Sequence, residues 1–184
     1  MAAAALILLY PAIPMMFMGE EIASESPFLF FADFQDKGLR KAVDRGRKHE
    51  FPDADWTDAV MPSDERAFYD SKITLPDSPN RMKSWYQQLL QIRKQWLADG
   101  LLNPDQMEIK SSVESNLFCI NYKTTAQSVF VVARFGTPGA DQSPITLTLD
   151  GTILLDSEGD ATNGDIEIKT NRALVGTGKV TWKE

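Results

Sequence analysis

The chain opens with an apolar run, MAAAALILLYPAIPMMFM (residues 1–18), that stops at Gly19 and the acidic pair Glu20–Glu21. Pro11 and Pro14 cut the run, and a proline inside a helix removes a hydrogen bond and collides with the preceding turn. The pattern predicts a short apolar helix, a proline-marked turn and a buried strand IPMMFMG (13–19). That strand is of the continuous apolar type found in parallel sheets covered on both faces. A membrane span would need about 20 uninterrupted apolar residues. A secretory signal would need a basic start, and the run holds no lysine or arginine.

Polar and apolar positions then alternate with helical period. DKGLRKAVDRGRKHEF (36–51) reads as a helix with Leu39, Val43 and Gly46 inward and the cations Arg40, Lys41, Arg45, Arg47 and Lys48 largely outward. Those cations form either a solvated face or a grip for an anion. The strongest helix lies in SPNRMKSWYQQLLQIRKQWLADG (78–100), with Ser78 as cap, Pro79 in the first turn and Gly100 just past the end. Met82, Trp85, Tyr86, Leu89, Leu90, Trp96 and Leu97 fall on one stripe, so both tryptophans read as core.

From about residue 103 the period shortens to two. MEIKSSVES, NLFCINYK, SVFVVARFG, ITLTLDGTILLDSE, DIEIKT and GKVTWKE are strand-like runs separated by the turn-forming phrases TPGADQSP and DATNGD. Several such runs predict an antiparallel sandwich or barrel-like sheet. In NLFCINY the side carrying Phe118, Ile120 and Tyr122 is the more apolar, so those rings are expected to be core.

Composition narrows the function classes. At 43% hydrophobic and 24% charged residues, the chain has soluble globular character. A net charge of -7 argues against a nucleic-acid partner, because phosphate neutralisation needs a basic face. The lone Cys119 excludes an internal disulfide, suits a reducing, cytoplasmic compartment and reads as a buried filler. His49 is the only histidine and reads as a surface residue; no metal or other cofactor is expected.

AIPMMFMGEE (12–21) resembles the eighth-strand signature of the α-amylase-type, family-13 glycoside hydrolases, with Pro14, Gly19 and Glu21 at the matching places and Ala12 where glycine is usual. SPFLFFADF (26–34), GRKHEF (46–51), SKITL (71–75) and WYQQLLQIRK (85–94) together resemble the trehalose-releasing branch, the maltooligosyltrehalose trehalohydrolases. The resemblance implies an α+β chain. Residues 1–100 would be the helical end-piece of a (β/α)8 barrel (last strand and helices), and 101–184 an antiparallel β-sandwich domain. The implied substrate is an α-glucan or maltooligosyl-trehalose. A 1,4-α-glucan branching enzyme is the nearest alternative, but that branch continues with a GNEFGQ-like phrase where this chain reads GEEIAS.

Retaining members of the family work with two carboxyl groups about 5–5.5 Å apart. The resemblance places these, and a third sugar-orienting aspartate, on strands that precede the matched one. No catalytic residue is therefore expected among these 184 residues, and the chain alone is expected to be inactive. Glu20 and Glu21 would stand at the C-terminal rim of the barrel, where sites of this fold lie. Either one of them lines the sugar cleft, or both cap the strand and order the loop after it. Phe28 and Phe31 would offer rings to the C–H face of a sugar. Asp33 would bond sugar hydroxyls, close a local Asx-turn or cap the helix that follows. With its barrel neighbours absent, the segment 1–20 is expected to self-associate or to fold back as helix onto the Trp85–Leu97 stripe. The rings on the Phe118 side favour a sandwich that supports the barrel over one that binds glucan.

Overall fold

The computed structural model describes residues 1–78, 80–136, 143–162 and 164–182. Pro79, most of the TPGADQSP turn, Asn163 of DATNGD and the last two residues of GKVTWKE lie outside them. The chain forms two compact units, one of residues 1–17 with 80–184 and one of 18–79. This division follows a different line from the change of sequence period near residue 100.

The first unit is built on helix α1 (Ala2–Leu8), helix α4 (Arg81–Ala98) and six strands: β1 (Met107–Ser112), β2 (Leu117–Lys123), β3 (Ser128–Arg134), β4 (Ile145–Asp156), β5 (Asp165–Ile168) and β6 (Ala173–Trp182). All six strands join one sheet in the order β1-β2-β3-β6-β4-β5, with every neighbouring pair antiparallel. β6 starts well before the GKVTW run, at Ala173. β4 runs straight through Asp150–Gly151, where Gly151 lies opposite Gly178. An added Cβ on Gly178 (φ +89°) would strike the Asp150 carbonyl, so β4 and β6 can approach this closely only over glycine.

Both faces of the sheet are buried. Ile120, Tyr122, Val129, Val131, Ala133, Ala173 and Val175 pack with α1 and α4. Leu117, Cys119, Phe130, Val132 and Leu174 form a second core with Leu147, Leu149, Ile166, Ile168 and Val180. Period two along β2 and β3 thus feeds two cores at once. Phe118 departs from expectation. It is 42% exposed and touches Phe135 edge-on at 5.8 Å, while Leu117 and Cys119 on the opposite side are fully buried. Burial pushes the Cys119 thiol up to about 12, which suits an inert filler.

Helix α4 buries Trp85, Tyr86, Leu89 and Trp96, as the stripe predicts, but Leu90 and Leu97 face solvent. Its cap is Asn80 rather than Ser78: the Asn80 Oδ1 accepts from the N–H groups of Met82 (2.7 Å) and Lys83 (3.2 Å). Gly100, at φ +67°, ends the helix where the sequence places the stop.

Helix α1 is the expected apolar helix, but the buried strand after it does not form. Among the described residues, 13–18 belong to no ladder, and their side chains are open, with Ile13 96% and Met15 85% exposed. A strand needs a neighbour to exchange hydrogen bonds with, and Pro14 removes one of the donors. Instead α1 folds back onto α4 and the sheet. The Trp85 indole donates to the Met1 carbonyl (3.0 Å), and the Tyr122 hydroxyl donates to the Leu9 carbonyl (2.7 Å). Arg93 collects the carbonyls of Leu8 (2.6 Å), Tyr10 (2.8 Å) and Ala12 (2.6 Å). Among the described residues no helix is long and apolar enough to cross a membrane.

A polar hub stands at the end of β4. Arg172 and Asp156, with side chains 4% and 5% exposed, form a two-pronged ion pair at 2.7 and 3.1 Å. Asp156 also accepts from the backbone N–H groups of Glu158, Asp160 and Ala161. Burial raises the carboxyl's pKa. The bonds from Arg172 and from the backbone, with the Arg172 charge, outweigh it and hold the group below its ordinary value.

The second unit holds helix α2 (Lys37–Glu50), helix α3 (Glu65–Asp70) and loops. None of the inward positions expected of α2 is buried; Leu39 is 45% exposed and Gly46 is open. Its N-cap is Asp36, whose carboxylate accepts from Leu39 N–H at 2.7 Å. His49 is exposed, as the sequence suggests.

Two measurements test this account. Arg93→Met should free the end of α1, speeding amide exchange over residues 2–9 and lowering stability by about 2–3 kcal/mol. Asp156 stabilises the fold fully above the unfolded carboxylate value, about 3.9, and progressively less as pH falls through its depressed folded value. Asp156→Ala should cost about 3–5 kcal/mol at neutral pH. It should also flatten the acid limb of a pH–stability curve.

Candidate functional site

The acidic pair falls on a tight local turn rather than on a strand end. Gly19 takes a left-handed conformation (φ 91°), Glu20–Ile22 form one 3-10 turn, and Ala23 is left-handed again (φ 52°). Gly19 O accepts from Ile22 N–H (3.2 Å) and Ser24 N–H (2.9 Å), closing the loop on itself. The Glu21 carboxylate accepts from its own Gly19 N–H at 3.1 Å. Glu20 and Glu21 are both half-buried. Of the two roles open to Glu21, ordering the turn is the one its contact serves.

The following segment has no regular structure but is firmly tethered. Ser26 Oγ donates to the Lys72 carbonyl (2.9 Å), and Leu29 N–H donates to Ser71 Oγ (3.0 Å). Ala32 N–H donates to the Pro62 carbonyl (2.9 Å). Ser71 is buried and passes its own proton back to the Ala67 carbonyl in α3 (2.7 Å). This backbone presents its aromatic rings outward: Phe28 is 65%, Phe30 54%, Phe31 43% and Phe34 37% exposed.

Two cations lie over rings of this unit, one of them Phe30. The Arg47 guanidinium lies 4.4 Å from the Phe51 ring centre and 5.5 Å from that of Phe30, and it pairs with Glu50 at 2.8 Å. The Lys72 ammonium lies 4.6 Å from the Phe68 ring centre and 4.5 Å from that of Tyr69. Phe31 meets Phe68 edge-on at 5.3 Å, and Phe68 meets Tyr69 the same way at 5.3 Å. Asp33 is 93% exposed and pairs with Arg40 at 3.0 Å, and the same arginine also donates to the Phe34 carbonyl. Helix α2 takes its cap from Asp36 rather than from Asp33.

Glu21, Asp33 and Phe31 thus each close on a different neighbour: Gly19, Arg40 and Phe68. Sequence reasoning missed Phe68, Tyr69 and Lys72. The signal was present in RAFYDSK, where Phe68 and Tyr69 precede Lys72 by four and three residues, the spacing at which helical side chains meet. Among the described residues no group of three or more His, Cys, Asp or Glu side chains is placed to hold a metal ion.

The first unit carries its own concavity, a cleft of about 450 Å³. Ile7, Tyr10, Ile13 and Met15 line one side and Ile109 and Phe118 the other, and nearly all of its surface is apolar.

No family model matches the chain. Individual relatives do. The chain is 35% identical over 156 residues to the malto-oligosyltrehalose trehalohydrolase of Saccharolobus solfataricus, a match covering 84% of this chain and 24% of that protein. With the enzyme of the same name from Arthrobacter ramosus it shares 36% over 106 residues, 54% of this chain and 18% of that one. The Deinococcus radiodurans enzyme is 29% identical over 162 residues, 83% of this chain and 26% of that one. The chain thus spans about a quarter or less of the curated relatives it matches. In fold it is similar to a protein described as an alpha amylase from Salmonella typhimurium, at TM-score 0.75 and 22% identity, over 96% of this chain and 30% of that one. It is also similar to the trehalose-6-phosphate hydrolase of Bacillus licheniformis, at TM-score 0.56 and 13% identity, over 96% of this chain and 38% of that one.

Gly19 gives a direct test of the acidic turn. A Cβ there would lie 2.8 Å from Ile73 Cδ1 and 2.9 Å from Ser24 Cβ, on a backbone that L-residues avoid. Gly19→Ala should cost about 1–3 kcal/mol and shift the amide signals of residues 20–24 in a heteronuclear spectrum.

Proposed function

We infer, from a chain homologous to the C-terminal region of malto-oligosyltrehalose trehalohydrolases and folded like the C-terminal part of family-13 enzymes, that it serves an α-glucan-acting glycoside hydrolase of that kind. The parent activity is trehalose release from maltooligosyl-trehalose. Residues 1–100 are the end of the barrel domain and 101–184 the C-terminal all-β domain. The observation that carries this reading is the 35% identity extending over 84% of the chain.

In this reading Glu20, Glu21, Phe28, Phe31 and Asp33 border the sugar cleft, and the acid–base pair belongs to the preceding region. The exposed aromatic segment and its two cations support a sugar-facing role, since rings offer a surface to C–H faces and cations donate to hydroxyls. The sheet supports the barrel. The apolar cleft beside β1 and β2 favours that role over glucan binding, because a hydroxyl-rich ligand would leave it largely unmatched. A second copy of the chain meets the exposed side chains of Ile13 and Met15, while Ala2–Leu8 stays folded back onto α4.

The purified chain should release no trehalose or reducing sugar from maltooligosyl-trehalose. Release above a no-protein blank that disappears in Glu20→Gln or Glu21→Gln would place the catalytic acids within this chain and overturn the reading.

A further inference from the structure

The aromatic surface of the second unit does not end at the segment 28–34. Ser26, Leu29 and Ala32 are hydrogen-bonded to Lys72, Ser71 and Pro62, so the segment is tied to both flanks of α3. The edge-on contacts at 5.3 Å then set Phe31, Phe68 and Tyr69 in a row, 43%, 43% and 56% exposed. Lys72 follows α3 by two residues; its N–H donates to the Tyr69 carbonyl (3.2 Å) and its ammonium lies over the last two rings. The Arg47 guanidinium lies over Phe30 and Phe51 in the same way, but its ion pair with Glu50 at 2.8 Å leaves it fewer donors for a ligand.

We propose that Phe68 and Tyr69 of α3, with Lys72 as the residue that positions their rings, extend the Phe31 wall into a ledge for one further glucosyl unit of an α-glucan. This rests on the reading of Phe31 as a sugar-facing residue. Successive rings at an angle of 68–74° suit a chain of sugars that turns from one unit to the next better than a flat partner would. A compact ammonium at the rim keeps donors for sugar hydroxyls while it holds both rings. The occupant fits on charge as well: the ledge presents rings and a cation, which suits a neutral polyhydroxylated chain and disfavours a cationic peptide.

The test uses the 184-residue chain with maltoheptaose as probe, followed by aromatic and lysine side-chain NMR shifts and by titration. The ring signals of Phe31, Phe68 and Tyr69 should shift together at one saturation midpoint. Phe68→Ala and Tyr69→Ala should each weaken binding about 5- to 10-fold. Lys72→Met should weaken it as well, with Lys72→Arg restoring most of the loss. Tyr69 is the more exposed of the two rings, so its variant remains informative if Phe68→Ala does not fold. If Phe31→Ala weakens binding while Tyr69→Ala and Lys72→Met match the parent, the ledge is overturned and the Phe31 wall stands. If neither Phe31→Ala nor Tyr69→Ala changes the titration, or maltoheptaose moves none of these rings, the wall itself is overturned and the ledge with it.

Discussion

A seven-residue helix cannot hold itself together in water, and the first unit is arranged around that constraint. Helix α1 has no side-chain cap at its start and no basic residue in its last turn. Its stability comes from elsewhere: burial of Ala2, Ala4, Ala5 and Leu8, and three side chains from distant sequence that take its end carbonyls. Trp85 and Arg93 both belong to α4, and Tyr122 belongs to β2. Helix, helix and sheet are thereby fixed to one another through the first turns of the chain. Tyr122 OH–Leu9 and the edge-on packing of Trp96 on Tyr122 at 6.2 Å make that tyrosine common to all three elements. Its hydroxyl pKa is pushed up chiefly by burial, in keeping with a neutral donor held inside a core.

That arrangement explains what could be read in the sequence and what could not. The α4 stripe, the apolar helix at the start and the change to period two near residue 103 are local patterns, and the structure contains each of them. The buried strand at 13–19 was inferred from apolar character alone, and a strand is defined by its neighbour. Phe118 went wrong for a related reason. When both faces of a strand are buried, the more apolar face cannot be distinguished by composition, and β2 places Leu117 and Cys119 in one core and Ile120 and Tyr122 in another. Arg93 stood unnoticed in the helical run because its partners are backbone carbonyls more than eighty residues away, which no spacing rule reveals.

The candidate site shows the same division. The rings of SPFLFFADF and the acids of GEE were visible as residue types, and their exposure and turn geometry agree with a surface segment. The partners of the rings came from α2 and α3 and from Lys72 just past α3, whose spacing of three and four residues from Tyr69 and Phe68 was enough to recognise it. Leu39 and Gly46 failed as inward positions because the second unit is held by hydrogen bonds and cation–ring contacts more than by an apolar core. Among its described hydrophobic residues only Ile22 and Ala67 are buried.

This difference in construction bears on how each unit can serve a ligand. The sheet unit spends its polar groups on internal order: the Asp156 carboxylate alone receives Arg172 and three backbone N–H groups, and each bond removes a partner a ligand would need. The 18–79 unit does the reverse. Its structural bonds run mostly through the backbone and small hydroxyls such as Ser26, Ser63 and Ser71, which leaves aromatic faces and long cationic side chains at the surface. A tethered backbone with exposed, already contacted rings is the combination that pre-orders a binding surface, because part of the entropy of fixing the rings is lost before any ligand arrives. The acidic turn at Gly19–Ala23 completes the pattern: its left-handed residues and self-closing bonds fix the start of the ring-bearing segment.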